Sequence, residues 1–234
     1  MLEIKDLTIR YGNFLAVNSV SISVGKGQIT ALIGPNGAGK SSIVRAIGGL
    51  NSFESGHLSF LNENLSNVKP HLRIVKGLSI VPEGRGLFPR MSVEENLMMG
   101  AYSLQNKALF QDLMDRNFAL FPILKERRHQ LVGTMSGGQQ QMVAVAVGLM
   151  SDPRLCIFDE PSLGLAPIVI EQIGEALISL KKQELTVFLV EQNASLTTKV
   201  ADEIYVLSAG EVKFHDTPAN LMNNKEVLET FLSA

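Results

Sequence analysis

One octapeptide constrains this chain more than any other stretch. Gly34-Pro35-Asn36-Gly37-Ala38-Gly39-Lys40-Ser41 fits the spacing G-x-x-x-x-G-K-[ST]. Its glycines let successive backbone N–H groups turn inward around a polyphosphate with no Cβ in the way. Lys40 supplies a point charge to the β and γ phosphates, and the Ser41 hydroxyl can ligate Mg²⁺. The helix that follows aims its positive end at the same anion. Such a loop works only between a buried strand and a helix, and both are in place. Thr30 to Ile33 is a short apolar run, and Ser41 to Leu50 has helical character.

The rest of the chain extends that strand–loop–helix into an α/β pattern. Residues 2–33 read as strands, with Leu2 and Ile4 on one parity and Leu7, Ile9 and Tyr11 on the other; the shift at Lys5-Asp6 predicts a bulge. Residues 56–60 and 78–81 are further short strands joined by a polar, Asn-rich connection. From Ser92 to about Gln130 strands vanish, and Ser92 followed by Glu95 predicts a capping box opening a helix. A helix at 137–149, a strand at 154–158, a helix near 167–181 and a strand at 186–190 follow. Residues 202–214 read as a hairpin, and two short helices close the chain. Strands alternating with helices imply a largely parallel sheet.

Composition excludes several classes. The 21 Lys+Arg against 23 Asp+Glu leave a formal net charge of −2, a poor balance for neutralising phosphate backbones, so nucleic acid is not an expected partner. The longest apolar stretch, Met142 to Met150, is about half of the roughly 20 residues a spanning helix needs. The N-terminal MLEIKDLTIRYG carries acids and alternates, so it reads as a strand and not as a signal peptide. The lone Cys156 excludes an internal disulfide; its apolar strand neighbours predict an inert core thiol. His57, His71, His129 and His215 are scattered without metal-ligand spacing.

Two further features carry chemistry. Leu155-Cys156-Ile157-Phe158 forms an apolar strand with Asp159 and Glu160 at its carboxyl end, where ligands gather in open α/β sheets. Asp159 can hold the Mg²⁺ shell, and Glu160 can polarise an attacking water as general base. Ser136-Gly137-Gly138-Gln139, after Met135, opens the helix leading to that strand, with Asp159 20 residues beyond Gln139. A serine and two glycines at a helix start form a second anion-binding terminus. One ATP needs one cradle, so the second is expected to serve a nucleotide held by a partner subunit.

At these residues the chain resembles ATP-binding cassette (ABC) ATPases over essentially its whole length. Gly34–Ser41 matches their Walker A motif, Cys156–Glu160 their Walker B motif, and Ser136–Gln140 their signature, normally LSGGQ, with Met135 in place of Leu. The resemblance implies a P-loop NTPase cassette: a mostly parallel core sheet, an N-terminal antiparallel β subdomain and a helical subdomain. The expectation is a single domain over 1–234, with the helical subdomain inserted at about 88–150. Two cassettes of this family sandwich two ATPs head to tail, each site pairing one chain's Walker motifs with the other's signature. Tyr11, 23 residues before Gly34, occupies the place of the aromatic that stacks on adenine, and Ser42 completes the phosphate-binding set. Val81–Leu97 (VPEGRGLFPRMSVEENL), Glu160–Pro167 (EPSLGLAP) and Phe188–Asn193 (FLVEQN) are similar to one of the two ATPase subunits of branched-chain amino acid importers. That implies ATP and Mg²⁺ as cofactors and a second ATPase subunit, a heterodimer being favoured over a homodimer. It also implies two integral-membrane permease subunits, a solute-binding protein acting indirectly, and a peripheral place on the cytoplasmic face of the cell membrane.

Three positions depart from the ABC pattern. Glu83 stands where most cassettes carry a glutamine linking Mg²⁺, water and the membrane subunit; an ionised carboxylate accepts but cannot donate. Ala166 replaces the usual aspartate after Walker B. Gln192 stands at the switch histidine, able to donate through its amide to the γ-phosphate but without a cationic form. These leave open a weakly hydrolysing regulatory cassette that completes its partner's site. Relatives that move other small polar solutes, such as urea or an amide, are a second alternative. The Met91, Met98 and Met99 group near Phe88 could line a groove for a partner helix.

Overall fold

A computed structural model describes residues 1–104 and 106–224. Two sheets organise it. The first is antiparallel, in the order β2-β1-β4-β5, from β1 (Leu2–Tyr11), β2 (Phe14–Val24), β4 (Ser55–Phe60) and the two-residue β5 (Glu63–Asn64). The second has six strands in the order β10-β9-β3-β8-β7-β6. They are β3 (Ile29–Ile33), β6 (Leu78–Val81), β7 (Leu155–Asp159), β8 (Thr186–Glu191), β9 (Glu203–Ser208) and β10 (Glu211–Asp216). All its neighbours run parallel except β10, which returns antiparallel on β9 as the expected hairpin.

Every residue of β3 is buried, so this strand has no solvent face. Its alternation divides two cores. Ile29, Ala31 and Ile33 join Cys156, Phe158, Val187 and Leu189 in one, which also takes α6 (Gly137–Leu149), α7 (Pro167–Lys182) and the helices α3 (Val93–Gly100), α4 (Phe110–Leu120) and α5 (Pro122–Glu126). Leu32 joins Ile157, Phe188 and Val190 in the other, with the inner face of the antiparallel sheet and α1 (Lys40–Gly48). The period-2 pattern of a strand buried on both sides thus fixes a three-layer stack.

Among the described residues, only helical elements and one isolated bridge, Ser92 to Leu131, separate β6 from β7. The capping box at Ser92 is present: Glu95 N–H donates to Ser92 Oγ (3.2 Å) and Ser92 N–H to Glu95 Oε2 (2.7 Å). The bulge in β1 also lies where the parity shift put it, with Asp6 at φ 49° between the Ile4 and Leu7 pairings. Tyr11 keeps the parity of Leu7 and Ile9 but, at the end of the strand, is 43% exposed where they are buried; the register shift after Ile9 places its extra residue in β2.

The polar connection over 61–77 holds structure that the sequence pattern hid: β5, and α2 (Pro70–Val75) with proline at its start. What secures α2 is Arg73, which is 3% exposed. Its guanidinium donates to the carbonyls of Leu65, Val68, Ala46 and Ile47, the last two at the open C-terminal end of α1. Of the two closing helices, α8 (Ala194–Val200) having come earlier, α9 (Pro218–Asn223) is observed; the second falls in 225–234, outside the described residues.

Candidate functional site

Parallel register brings the carboxyl ends of three strands level. Ile33 on β3 pairs with Glu191 on β8, and Val190 pairs with Asp159 on β7. The loops leaving β3, β7 and β8 therefore converge, and with them the glycine-rich octapeptide, the acidic pair and Gln192.

The octapeptide is shaped by close backbone approach. At Gly39 φ is 109°, and a Cβ there would lie 2.6 Å from the Ala16 carbonyl; at Gly34 it would lie 2.2 Å from that of Leu207. Neither contact leaves room for a side chain. Gly39 also ends the loop as the N-cap of α1. No side chain caps that helix and no acid sits in its first turn, so its positive end is left for an anion. Pro35 and Ala38 shape the loop, Asn36 and Gly37 lie at its exposed tip, and Ser41 and Ser42 open α1.

Lys40 is 4% exposed and Glu160 7%. The ammonium lies 3.0 Å from Glu160 Oε1 and donates to the carbonyls of Gly34 (2.8 Å) and Pro35 (3.1 Å). Glu160 is held in the left-handed region at φ 49°, where a non-glycine residue is strained; its N–H donates to Val190 O at 2.8 Å. Beside it Asp159 is buried, and its Oδ1 has no hydrogen-bond partner. Burial, then the charges of Glu160 and Glu83, push the Asp159 carboxyl up to about 6, against the pull of Lys40 and Arg45. Glu83, just past β6, is exposed yet close enough to act on Asp159. An orphaned, buried carboxylate oxygen amid excess negative charge fits a divalent cation.

Tyr11 lies at the rim. Its hydroxyl donates to Ser42 Oγ (3.3 Å) and accepts from Asn51, so the ring stands beside the start of α1. Gln192 is exposed, its N–H on Glu191 Oε2 at 3.1 Å. Ala166 caps α7 with no side-chain bond. The Ser136–Gln139 turn is a separate exposed structure. Ser136 and Gln139 spend their side chains on each other's backbone in a capping box (3.3 and 3.2 Å). Among the described residues no hydrogen bond or ion pair joins this turn to Gly34–Ser42. It is tied instead to the segment after β6: Arg85 Nη1 donates to Gln140 Oε1 at 2.7 Å. That link and Glu191 were not legible as site features in the sequence.

Residues 17–163 match the ABC transporter family profile, which spans both the phosphate loop and the acidic pair. The chain belongs to the ABC transporter family. Cassettes of this family bind and hydrolyse ATP, and this chain is such an ATPase subunit. It is 46% identical over 99% of both chains to the high-affinity branched-chain amino acid transport ATP-binding protein BraG of Pseudomonas aeruginosa. It is 32% identical to the probable branched-chain amino acid transport ATP-binding protein LivF of Archaeoglobus fulgidus, over 97% of this chain and 96% of that one. The ADP conformation of an ATP-binding cassette of an ABC transporter superposes with TM-score 0.85 at 26% identity, covering 100% of this chain and 99% of that one. The cassette has no helix, among the described residues, long and apolar enough to cross a membrane. Phe88, Met98, Met99 and Tyr102 are each exposed, Tyr102 at 90%, and Met91 is half-buried.

Proposed function

We propose that this cassette powers import of branched-chain or similarly small amino acids through a membrane permease. The likeness to BraG over 99% of both chains carries the solute class. The convergence of Lys40, Ser41, Asp159 and Glu160 supports the chemistry.

In this reading the adenine stacks on Tyr11 and the phosphates take the N–H groups of Gly34–Ser42. The polyphosphate draws the Lys40 ammonium, and Glu160, released from it, turns to the attacking water as general base. Gln192 donates its amide to the γ-phosphate. Ser41, Asp159 and Glu83 would hold Mg²⁺. No three His, Cys, Asp or Glu side chains among the described residues converge into a closed cage, so phosphate oxygens and water would complete the shell. The ion would supply positive charge that offsets the negative charge developing during phosphoryl transfer.

The exposed Ser136–Gln139 turn serves the nucleotide of a second ATPase subunit, a heterodimer being favoured. The helical subdomain, about 88–150 of a single 1–234 domain, meets the two permease subunits through Phe88, Met98 and Met99. The cassette then sits peripherally on the cytoplasmic face, and a solute-binding protein delivers from the other side.

The test is Glu160→Gln in the complex purified with its membrane companions. Azido-ATP should still label this chain, while the vanadate-trapped product of its own turnover should disappear. Trapped product at the wild-type level would remove Glu160 as the base. Companion proteins identified by mass spectrometry test the assembly: two polytopic proteins and a second cassette are expected.

A further inference from the structure

Glu191 ends the central strand β8 and is 2% exposed. No cation pairs with it among the described residues. Its carboxylate instead accepts four hydrogen bonds. Ser162 donates its N–H to Oε1 and its Oγ–H to Oε2, both at 2.8 Å; Gln192 and Asn193 donate their N–H groups to Oε2 at 3.1 Å. Burial alone pushes the carboxyl up, and these four donors pull it back toward the ionised form.

A buried carboxylate without a counter-charge is a destabilising way to end a strand, and only charge-assisted bonds offset it. These bonds reach in two directions. Ser162 belongs to the turn that begins at Glu160, where Leu163 N–H closes on Glu160 O (3.2 Å) and Leu165 N–H on Ser162 O (3.2 Å). That turn carries the strained φ of 49° at Glu160. Gln192 and Asn193 form the turn after β8, whose Asn193 side chain accepts from Leu196 N–H to start α8. One buried carboxylate is therefore the shared anchor of both turns.

We propose that Glu191 is a positioning residue for ATP hydrolysis, holding the Glu160 turn and the Gln192 turn in one fixed relation. Without it the Glu160 turn keeps its backbone tie to the end of β8, Glu160 N–H to Val190 O, but no side chain sets the Ser162 part of that turn against the Gln192 turn. The inference rests on the roles given to Glu160 and Gln192 above. The phosphate loop, Tyr11 and Lys40 make no bond to Glu191, so of the proposed nucleotide contacts only the one from Gln192 lies within its reach.

The experiment compares Glu191→Gln, Glu191→Asp and Ser162→Ala in the full chain with its membrane companions. Azido-ATP labelling of this chain reads binding, and vanadate-trapped product on this chain reads turnover at its own site. Glu191→Gln keeps the volume but sets an NH₂ against N–H donors. It should lower trapping at least about tenfold, the scale seen when a second-layer anchor is removed, with nucleotide affinity changed less than about twofold. Ser162→Ala should show a smaller fall with the same split, and Glu191→Asp should regain part of the rate. Wild-type trapping in Glu191→Gln overturns the proposal, as does a parallel loss of binding, trapping and thermal stability, which marks a purely structural role. Should Glu191→Gln fail to fold, wild-type trapping in Ser162→Ala overturns it. Glu160→Gln run alongside separates the premises: if it still traps product, the site assignment falls, and if it is dead while Glu191→Gln works, only this inference falls.

Discussion

Asp159 is kept at a cost to the fold, and that cost is measurable. Its carboxyl rises from 3.8 to about 6 in the folded chain, a differential worth about 3 kcal/mol at face value. The pull of Lys40 and Arg45 is already contained in that figure, and solvent screening at this partly open cleft reduces it to about 1–2 kcal/mol. The folded carboxyl holds its proton more tightly than the unfolded one. The native state therefore binds the extra proton between roughly pH 4 and 6, stability from this group falls as pH rises through that window, and the full penalty stands above it. Asp159→Asn removes the charge and keeps the shape, so at pH 7.5 the nucleotide-free variant should be the more stable protein. For a chain of 234 residues, about 1–2 kcal/mol corresponds to roughly 3–6 °C in Tm.

Thermal unfolding of both proteins at pH 7.5 and pH 5, without nucleotide, checks this. The variant's advantage should shrink at pH 5, where the wild-type carboxyl is mostly protonated. Adding Mg-ATP at pH 7.5 should reverse the order, because only the wild type offers the cation a carboxylate, and ligand binding stabilises by mass action. An Asn variant no more stable than wild type at pH 7.5, or an advantage that grows on acidification, would refute the reasoning.

The remaining predictions concern groups away from the chemistry. Arg73→Ala strips the carbonyls of Leu65, Val68, Ala46 and Ile47 of their shared donor and should cost on the order of 3–5 kcal/mol in urea unfolding. Arg73→Lys should recover little, since an ammonium cannot span four carbonyls. The Cys156 thiol is fully buried and pushed up to about 12 by desolvation, so iodoacetamide at pH 8 should modify it only after denaturant is added. Labelling of the native chain at the rate of a free thiol would contradict that placement.

The parts of this fold that could be read from the sequence are those whose determinants lie within one turn or one strand of each other. The octapeptide carries its own requirements, and Gly39 at φ 109° meets them within eight residues. The capping box of Ser92 with Glu95 is a three-residue relation and is legible as such; that of Ser136 with Gln139 is equally local, but in the sequence that serine reads only as part of an anion-binding helix start. The helix α2 is not legible, because its six residues carry little periodicity and its anchor, Arg73, finds partners at Ala46 and Ile47, some 26 residues back. Parity along β1 does not tell that Tyr11 is exposed where Leu7 and Ile9 are buried, because that depends on what covers the end of the strand.

Glu191 shows the same limit at the site itself. In sequence it is a single acid closing an apolar strand, next to a glutamine that draws attention by its departure from a family pattern. Its meaning comes from strand order: β8 lies beside β7, so its last side chain meets both the turn that follows it and Ser162, 29 residues away along the chain. If Glu160 is the base and Gln192 the phosphate donor, as proposed, the two loops need a common reference, and the Glu191 side chain adds one to the backbone tie between Glu160 and Val190. In the role proposed for it, Gln192 would donate through a neutral amide with no cationic form, so its effect would depend on direction more than on charge. On that reading, a rigid anchor beneath Gln192 would be more consequential in this cassette than in one whose switch residue carries a positive charge.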